Sequence, residues 1–211
     1  MLSRSIERRA QLRGGERLAE ICEGPRGAAG VTRMAAALGS PSAWSKAGKT
    51  PVRVRRSEDG GKSWGPASDV GKGFMGGGVT VDRLGGDILA FVEERHPPAP
   101  LTVFRSRDHG RTWQPEPATV RPGKSGNVPS MHMNEHGITL LHGRDRGRLL
   151  RASRWYAGKN DKEHHPLHYT DAIFSDDGGR TWQASEPFPA MGTGEAAVAE
   201  LSDGTLYYNS R

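Results

Sequence analysis

The chain contains one cysteine, Cys22, so no disulfide can form within it. Only 34% of its 211 residues are hydrophobic, and no apolar run approaches the roughly 20 residues that a membrane-spanning helix needs. The first nine residues carry charges where a signal peptide has its apolar core. The sequence therefore predicts neither a membrane span nor a signal peptide. It leaves the compartment undetermined, and secretion or a periplasmic location stays open if the natural N-terminus lies further upstream.

Residues 1–50 contain no aspartate and are rich in arginine, alanine and glycine. The remainder of the chain has a different composition, with strand-like runs separated by glycine-rich turns. We expect residues 1–50 to form an atypical or damaged, partly disordered N-terminal segment. Residues 51–211 are expected to form the regular part of the fold.

The chain also lacks the charge pattern of a nucleic-acid-binding protein. Its net charge is +6 and its isoelectric point is near 9.8, but the arginines are scattered and form no basic stripe with interleaved aromatic residues. Three histidines cluster in His164–His168, without acidic or cysteine partners at a metal-binding spacing. The sequence predicts no nucleic-acid partner, no metal site and a solvated histidine loop.

One short pattern, Ser-x-Asp-x-Gly-x-x-Trp, occurs three times, at residues 57–64, 106–113 and 175–182. Such a turn is held by the serine hydroxyl and the aspartate carboxylate, which bind backbone N–H groups, while the glycine adopts a left-handed conformation. The tryptophan supplies an apolar anchor. The residues concerned are Ser57, Asp59, Gly61, Trp64, Ser106, Asp108, Gly110, Trp113, Ser175, Asp177, Gly179 and Trp182.

Each copy follows a strand-like run, and the copies lie roughly 50 and 70 residues apart, as expected when every repeat is one blade of a β-propeller. A polar connection rich in proline and glycine is expected over residues 114–127, and a long loop over residues 156–168. The pattern predicts an all-β protein with three four-stranded blades in which the three tryptophans pack equivalently. Residues 195–211 predict the inner hairpin of a fourth blade.

The repeated pattern resembles the Asp-box, or BNR repeat, of the sialidase (neuraminidase) family, and the resemblance extends over about residues 55–211. It implies a sialidase-like propeller with six blades, of which this chain holds about three and the start of a fourth. The chain is similar to an N-terminally altered and C-terminally truncated member. The box is itself structural and also occurs in propellers that hydrolyse nothing.

Two residues carry the chemistry that the resemblance implies. Glu195 enters a strand, and the next strand ends in Asn209-Ser210-Arg211, as in sialidases. By this resemblance Glu195 is the base that activates a tyrosine nucleophile, and Arg211 is one of three arginines that bind the substrate carboxylate. A neutral tyrosine suits a transition state that lies beside its own carboxylate.

Other expected features are weaker or missing. Tyr156 and Tyr169 flank the long loop and are candidate substrate contacts, with packing as the alternative. The family's Phe-Arg-Ile-Pro strand and its aspartate acid/base have no counterpart in residues 1–50, where Arg8 or Arg9 lies nearest to the position of the first carboxylate-binding arginine. The tyrosine nucleophile is expected beyond Arg211.

Three functions stay open at this point. The resemblance implies a retaining exo-α-sialidase that needs no cofactor and binds glycans with sialic acid or another acidic sugar, of which this chain is an incomplete, inactive form. A non-catalytic Asp-box propeller that binds glycans or proteins is the alternative. The third is a related propeller hydrolase that acts on another sugar.

Overall fold

The computed structural model describes residues 17–21, 33–38, 51–75, 77–123, 126, 128–132 and 134–211. These residues form fifteen strands and one short 3-10 helix, which confirms the predicted all-β class. Within the described ranges, no helix has the length and apolar character that are needed to cross a membrane.

The first two sheets have four antiparallel strands each, in simple sequential order. The first blade consists of β1 (Arg17–Ile21), β2 (Arg33–Leu38), β3 (Pro51–Ser57) and β4 (Ser68–Lys72). The second consists of β5 (Thr80–Val81), β6 (Ile88–Glu93), β7 (Leu101–Ser106) and β8 (Gln114–Glu116). Because β2 pairs with β3, a boundary at residue 50 falls inside the first blade.

The third sheet has a fifth strand, β9 (Thr119–Arg121), which pairs in parallel with the outermost strand of the blade. Its other strands are β10 (Ile138–Thr139), β11 (Leu149–Trp155), β12 (Tyr169–Ser175) and β13 (Thr181–Ala184). The expected polar connection after residue 113 therefore contains two short strands, β8 and β9. Pairing at the edge of a sheet satisfies the hydrogen bonds of backbone N–H and C=O groups. Because it does not require apolar side chains, the sequence shows no hydrophobic pattern for such strands.

The fourth sheet is a single antiparallel hairpin, formed by β14 (Ala196–Glu200) and β15 (Leu206–Ser210). The loop over residues 156–168 contains the 3-10 helix His165–Leu167. The described residues thus form three blades and the start of a fourth, as the sequence predicts.

The hydrophobic core lies between the blades and is divided into three clusters, one at each interface. Strand β6 is apolar from Ile88 to Val92, because both of its faces are covered. Ile88, Ala90 and Val92 face the first blade, whereas Leu89 and Phe91 face the third. A strand that is buried on both faces has no polar alternation.

Two of the box tryptophans, Trp113 and Trp182, fill these interfaces, each against the preceding blade. Trp113 belongs to the cluster between the first two blades, and Trp182 packs against Phe91 of the second blade at a ring distance of 5.3 Å. Trp64 is only half-buried and belongs to none of the three clusters. The prediction of equivalent packing is confirmed for two of the three tryptophans.

The predicted turn chemistry is confirmed in all three boxes. In the third, Ser175 Oγ accepts the Gly179 N–H at 2.8 Å, and Asp177 accepts the Arg180 and Thr181 N–H groups at 2.9 Å. The box glycines Gly61, Gly110 and Gly179 have φ values of 85°, 79° and 87°, in the left-handed region. Burial would raise the pKa of Asp177, but hydrogen bonds from the Thr181 side chain and backbone outweigh it and lower the pKa to about 2.

Candidate functional site

The candidate site lies at the end of the sheets opposite to the boxes. Each box begins at the last residue of a third strand, whereas Glu195 precedes the first strand of its blade. Neighbouring strands of a blade run in opposite directions. The start of the first strand, the end of the second and the start of the third therefore lie at the same end of the sheet, and the end of the third strand lies at the other. The box residues are therefore structural and remote from Glu195.

Glu195 and Arg211 occupy the two open ends of the β14–β15 hairpin. The Arg211 N–H donates to the Glu195 carbonyl oxygen at 2.9 Å, and the Gly194 N–H donates to the Arg211 carbonyl oxygen at 2.9 Å. The backbone ladder thus continues past the strands and fixes both residues side by side.

Their side chains form an ion pair, with Arg211 Nη2 at 2.7 Å from Glu195 Oε2. The Glu195 side chain is 37% exposed and that of Arg211 is 81% exposed. A guanidinium carries five N–H donors in a planar fork, so it can hold Glu195 through one nitrogen and bind a carboxylate from solvent through others.

A buried arginine lies directly beneath this pair. A Cβ atom at Gly194 would stand 3.0 Å from Cζ of Arg154, so any larger residue would require the guanidinium to shift. Arg154 Nη2 lies 2.9 Å from Nδ1 of His168, and its Cζ lies 4.7 Å above the ring of Tyr156. Arg154 thereby joins the site to the long loop of the third blade.

His168 is fully buried, so the prediction of a solvated histidine loop is wrong for this residue. Its Nε2 lies 3.2 Å from the Lys159 carbonyl oxygen, which assigns the ring proton to Nε2 and leaves Nδ1 to accept from Arg154. Burial, followed by repulsion from Arg154, lowers the pKa of His168. His164 is half-exposed and pairs with Asp161 at 2.7 Å, and no group of metal-binding side chains occurs among the described residues.

Both candidate tyrosines are buried beside the site. Tyr169 stacks on Trp155 at a ring distance of 4.7 Å, and Tyr156 packs edge-on against His168 at 4.8 Å. Burial raises the pKa of Tyr156 to about 12. Packing explains these contacts, and a direct contact with substrate stays a prediction for both residues.

Further polar residues at this end of the sheets escaped the sequence analysis, notably Glu93, Arg151 and His132. All three are buried. Glu93 ends an otherwise apolar strand and Arg151 lies in the middle of another, so a charge inside a predicted buried strand was the available signal. Arg8 and Arg9, the candidates for the first carboxylate-binding arginine, lie outside the described residues.

The comparisons with known proteins agree with this architecture. The BNR/Asp-box repeat family matches residues 104–115 and 173–184, which contain the second and third boxes. A protein named sialidase from Micromonospora viridifaciens is 29% identical, over 82% of this chain and 30% of its own length.

Two solved structures have a similar fold. Hadza microbial sialidase Hz136 superposes with a TM-score of 0.61 at 25% identity, over 85% of this chain and 39% of that one. A protein of unknown function from Dyadobacter fermentans DSM 18053 superposes with a TM-score of 0.58 at 17% identity, over 92% of this chain and 61% of that one. The chain spans 30% and 39% of the two sialidases.

Proposed function

We propose that this chain, a sialidase-like Asp-box propeller protein, is part of an exo-α-sialidase and carries two of its substrate-directed residues. The observation that supports this most directly is the ion pair between Glu195 and Arg211 on adjacent strand ends. In this proposal Arg211 binds the carboxylate of a terminal sialic acid, and Glu195 accepts the proton of a tyrosine nucleophile.

The chemistry requires more groups than this chain offers. A retaining mechanism needs a nucleophile and a proton donor on opposite sides of the glycosidic bond. The buried tyrosines beside the site are held by aromatic packing, and residues 1–50 contain no aspartate. We propose that a longer protein supplies the tyrosine nucleophile, the acid/base and the other carboxylate-binding arginines.

Binding of sialic acid to the 211-residue chain tests the role of Arg211. Saturation-transfer NMR should detect N-acetylneuraminic acid more strongly than its methyl ester, because the ester lacks the charge that the guanidinium recognises. Arg211→Ala should remove this preference. Arg144→Ala is the matched control, because Arg144 is an exposed arginine in the turn between β10 and β11, at the far end of the blade. Equal signals for acid and ester in the unmodified chain would contradict the proposal.

A second candidate is a non-catalytic propeller that binds glycans. The absence of aspartate from residues 1–50 favours it, because the acid/base of the resembling family is expected there. This candidate predicts that a protein extended beyond Arg211 binds sialic acid with the same preference but releases none from a sialoside. Turnover that disappears in Glu195→Gln would select the enzyme instead.

A further inference from the structure

Glu93 is a buried acidic residue at the end of β6 in the second blade. Its side chain is 1% exposed, and its Oε2 has no hydrogen-bond partner among the described residues. Burial raises the pKa of Glu93 to about 7, in spite of hydrogen bonds from Ser130 and Met131 that lower it. A carboxylate in such a place costs stability when it is ionised, so stability does not explain why the position holds a glutamate.

The other oxygen of Glu93 holds the segment that precedes the first strand of the third blade. Oε1 accepts a hydrogen bond from the Ser130 hydroxyl and another from the Met131 N–H at 3.2 Å. Ser130 Oγ in turn accepts the His132 N–H at 3.0 Å. One carboxylate oxygen therefore fixes three consecutive residues.

The same segment then reaches the candidate site. The Glu135 N–H donates to the Ala196 carbonyl oxygen at 3.0 Å, one residue after Glu195. Arg151 supports this contact from below, because its Nη2 lies 3.4 Å from the Glu135 carbonyl oxygen. The Asn134 N–H also donates to the Met131 carbonyl oxygen at 3.3 Å, and the Asn134 side chain donates to the His132 carbonyl oxygen at 2.9 Å. Hydrogen bonds thus connect Glu93, through Met131 and Asn134, to the contact between Glu135 and Ala196, the residue after Glu195.

We propose that Glu93 is a positioning residue, which fixes the segment from Ser130 to Glu135 and through it the backbone that presents Glu195. This role of Glu93 in activity rests on the proposed function of Glu195. The hydrogen-bond coupling between Glu93 and the backbone at Glu195 does not depend on that function. Loss of the acceptor at Glu93 loosens the contact between Glu135 and Ala196 and so misplaces Glu195.

The charged and titratable groups around Glu93 come from two neighbouring elements. Arg151 of β11 attracts the carboxylate, and Tyr156, just after that strand, interacts with it unfavourably. His132 lies on the segment that Glu93 holds, and burial, followed by repulsion from His96 and Arg154, lowers its pKa to about 3. Burial also lowers the pKa of His96, whose ring packs against that of His132.

Amide hydrogen exchange, followed by NMR on the 211-residue chain, tests the coupling. Glu93→Leu removes the acceptor, and the Glu135 and Glu195 amides should then exchange about tenfold faster or more, whereas box amides such as Gly61 keep their rates. Glu93→Gln keeps an acceptor oxygen and should preserve most of the protection. Glu94→Leu is the control, because Glu94 is the exposed neighbour.

Two further measurements keep the proposal testable if Glu93→Leu does not fold. Ser130→Ala should accelerate exchange at Glu135 by a smaller factor. The Met131 amide shift should titrate with a midpoint near 7 in the unmodified chain and in Glu94→Gln, but not in Glu93→Gln. Unchanged exchange at both Glu135 and Glu195 in Ser130→Ala and Glu93→Leu would overturn the proposal, as would a Met131 titration that survives Glu93→Gln.

These readouts use no sugar, so they separate the coupling from the proposed function. If the exchange pattern is as expected but sialic acid does not bind, the proposed function fails and the coupling stands. If sialic acid binds through Arg211 but substitution of Glu93 does not change amide exchange at Glu135 and Glu195, the coupling is wrong and the proposed function stands.

Discussion

The Arg105 guanidinium donates a hydrogen bond to the Gly178 carbonyl oxygen at 2.8 Å, and so ties the second blade to the Asp-box turn of the third. Arg56 makes the same connection one blade earlier, to the His109 carbonyl oxygen at 2.7 Å. Both arginines immediately precede a box serine, and both acceptors immediately precede a box glycine. The boxes therefore lock neighbouring blades together as well as closing their own turns.

Replacement of Arg105 should destabilise the protein strongly. Its side chain is 4% exposed and also pairs with Asp87 and Glu116, so Arg105→Met leaves Asp87 without this ion pair and leaves Glu116 with only the exposed Arg107. We expect a loss of about 3–5 kcal/mol, the range for breaking a buried ion pair. Chemical denaturation measures it. Arg107→Met is the control: Arg107 contacts the same Glu116 but is 59% exposed, so a loss of more than about 1 kcal/mol there would contradict this account.

The tryptophans of the boxes should differ in their contribution to stability. Trp182→Ala removes a fully buried side chain from the interface between the second and third blades. We expect a loss of about 3–5 kcal/mol, as for other buried aromatic truncations. Trp64→Ala should cost clearly less, because Trp64 is only half-buried. Equal denaturation midpoints for the two variants would show that the packing difference is unimportant.

Asp177 gives a prediction about acid stability. Its pKa is lowered to about 2 in the folded protein, against about 3.9 for an unperturbed aspartate. A lowered pKa means that the contribution is present above pH 4 and is lost as the pH falls toward 2. Asp177→Asn should therefore lower the free energy of unfolding at pH 6 and flatten its decline between pH 4 and pH 2. A parallel decline in the variant and the parent would contradict the assignment.

His132 should affect the free energy of unfolding at a higher pH than Asp177 does. Burial lowers its pKa from 6.5 to about 3, so its contribution is present above pH 6.5 and is lost as the pH falls through the range below. His132→Phe keeps a ring against Phe74 and His96 and removes the proton acceptor. The unfolding free energy of this variant should fall less than that of the parent between pH 6.5 and pH 4.5, by up to about 2 kcal/mol. A denaturation series at these pH values measures the difference.

The two proposed site residues should affect an extended, active form of the protein in different ways. Glu195→Ala should lower kcat with little change in KM, because a general base acts in the chemical step. Arg211→Ala should weaken binding of sialic acid by about 1.5–3 kcal/mol, because it contacts a carboxylate that is present in both ground and transition states. Arg211→Lys should recover only part of this, since an ammonium lacks the planar fork. Unchanged steady-state constants in both alanine variants would remove the site assignment.

The 211-residue chain by itself should show negligible turnover of a fluorogenic sialoside. A retaining glycosidase without its nucleophile and proton donor loses several orders of magnitude in rate. Measurable release from the pure chain that is abolished in Glu195→Gln would contradict this prediction.

The local patterns of the sequence determined the all-β class, the three turns and the blade count. A box closes through its own residues, since the hydrogen bonds that form its turn lie within five residues. The strand pair that places Glu195 and Arg211 together is likewise a simple hairpin. Such features are visible in sequence because their partners are close along the chain.

The tertiary structure alone decided which charges are buried and what they hold. Glu93 meets Ser130, Arg105 meets Gly178, and Arg154 lies under Gly194, over separations of 37, 73 and 40 residues. β9 likewise pairs with β13, the outermost strand of the third blade. Contacts between blades depend on the stacking of complete sheets, and no periodicity within a single strand encodes which residue of the next blade will lie opposite.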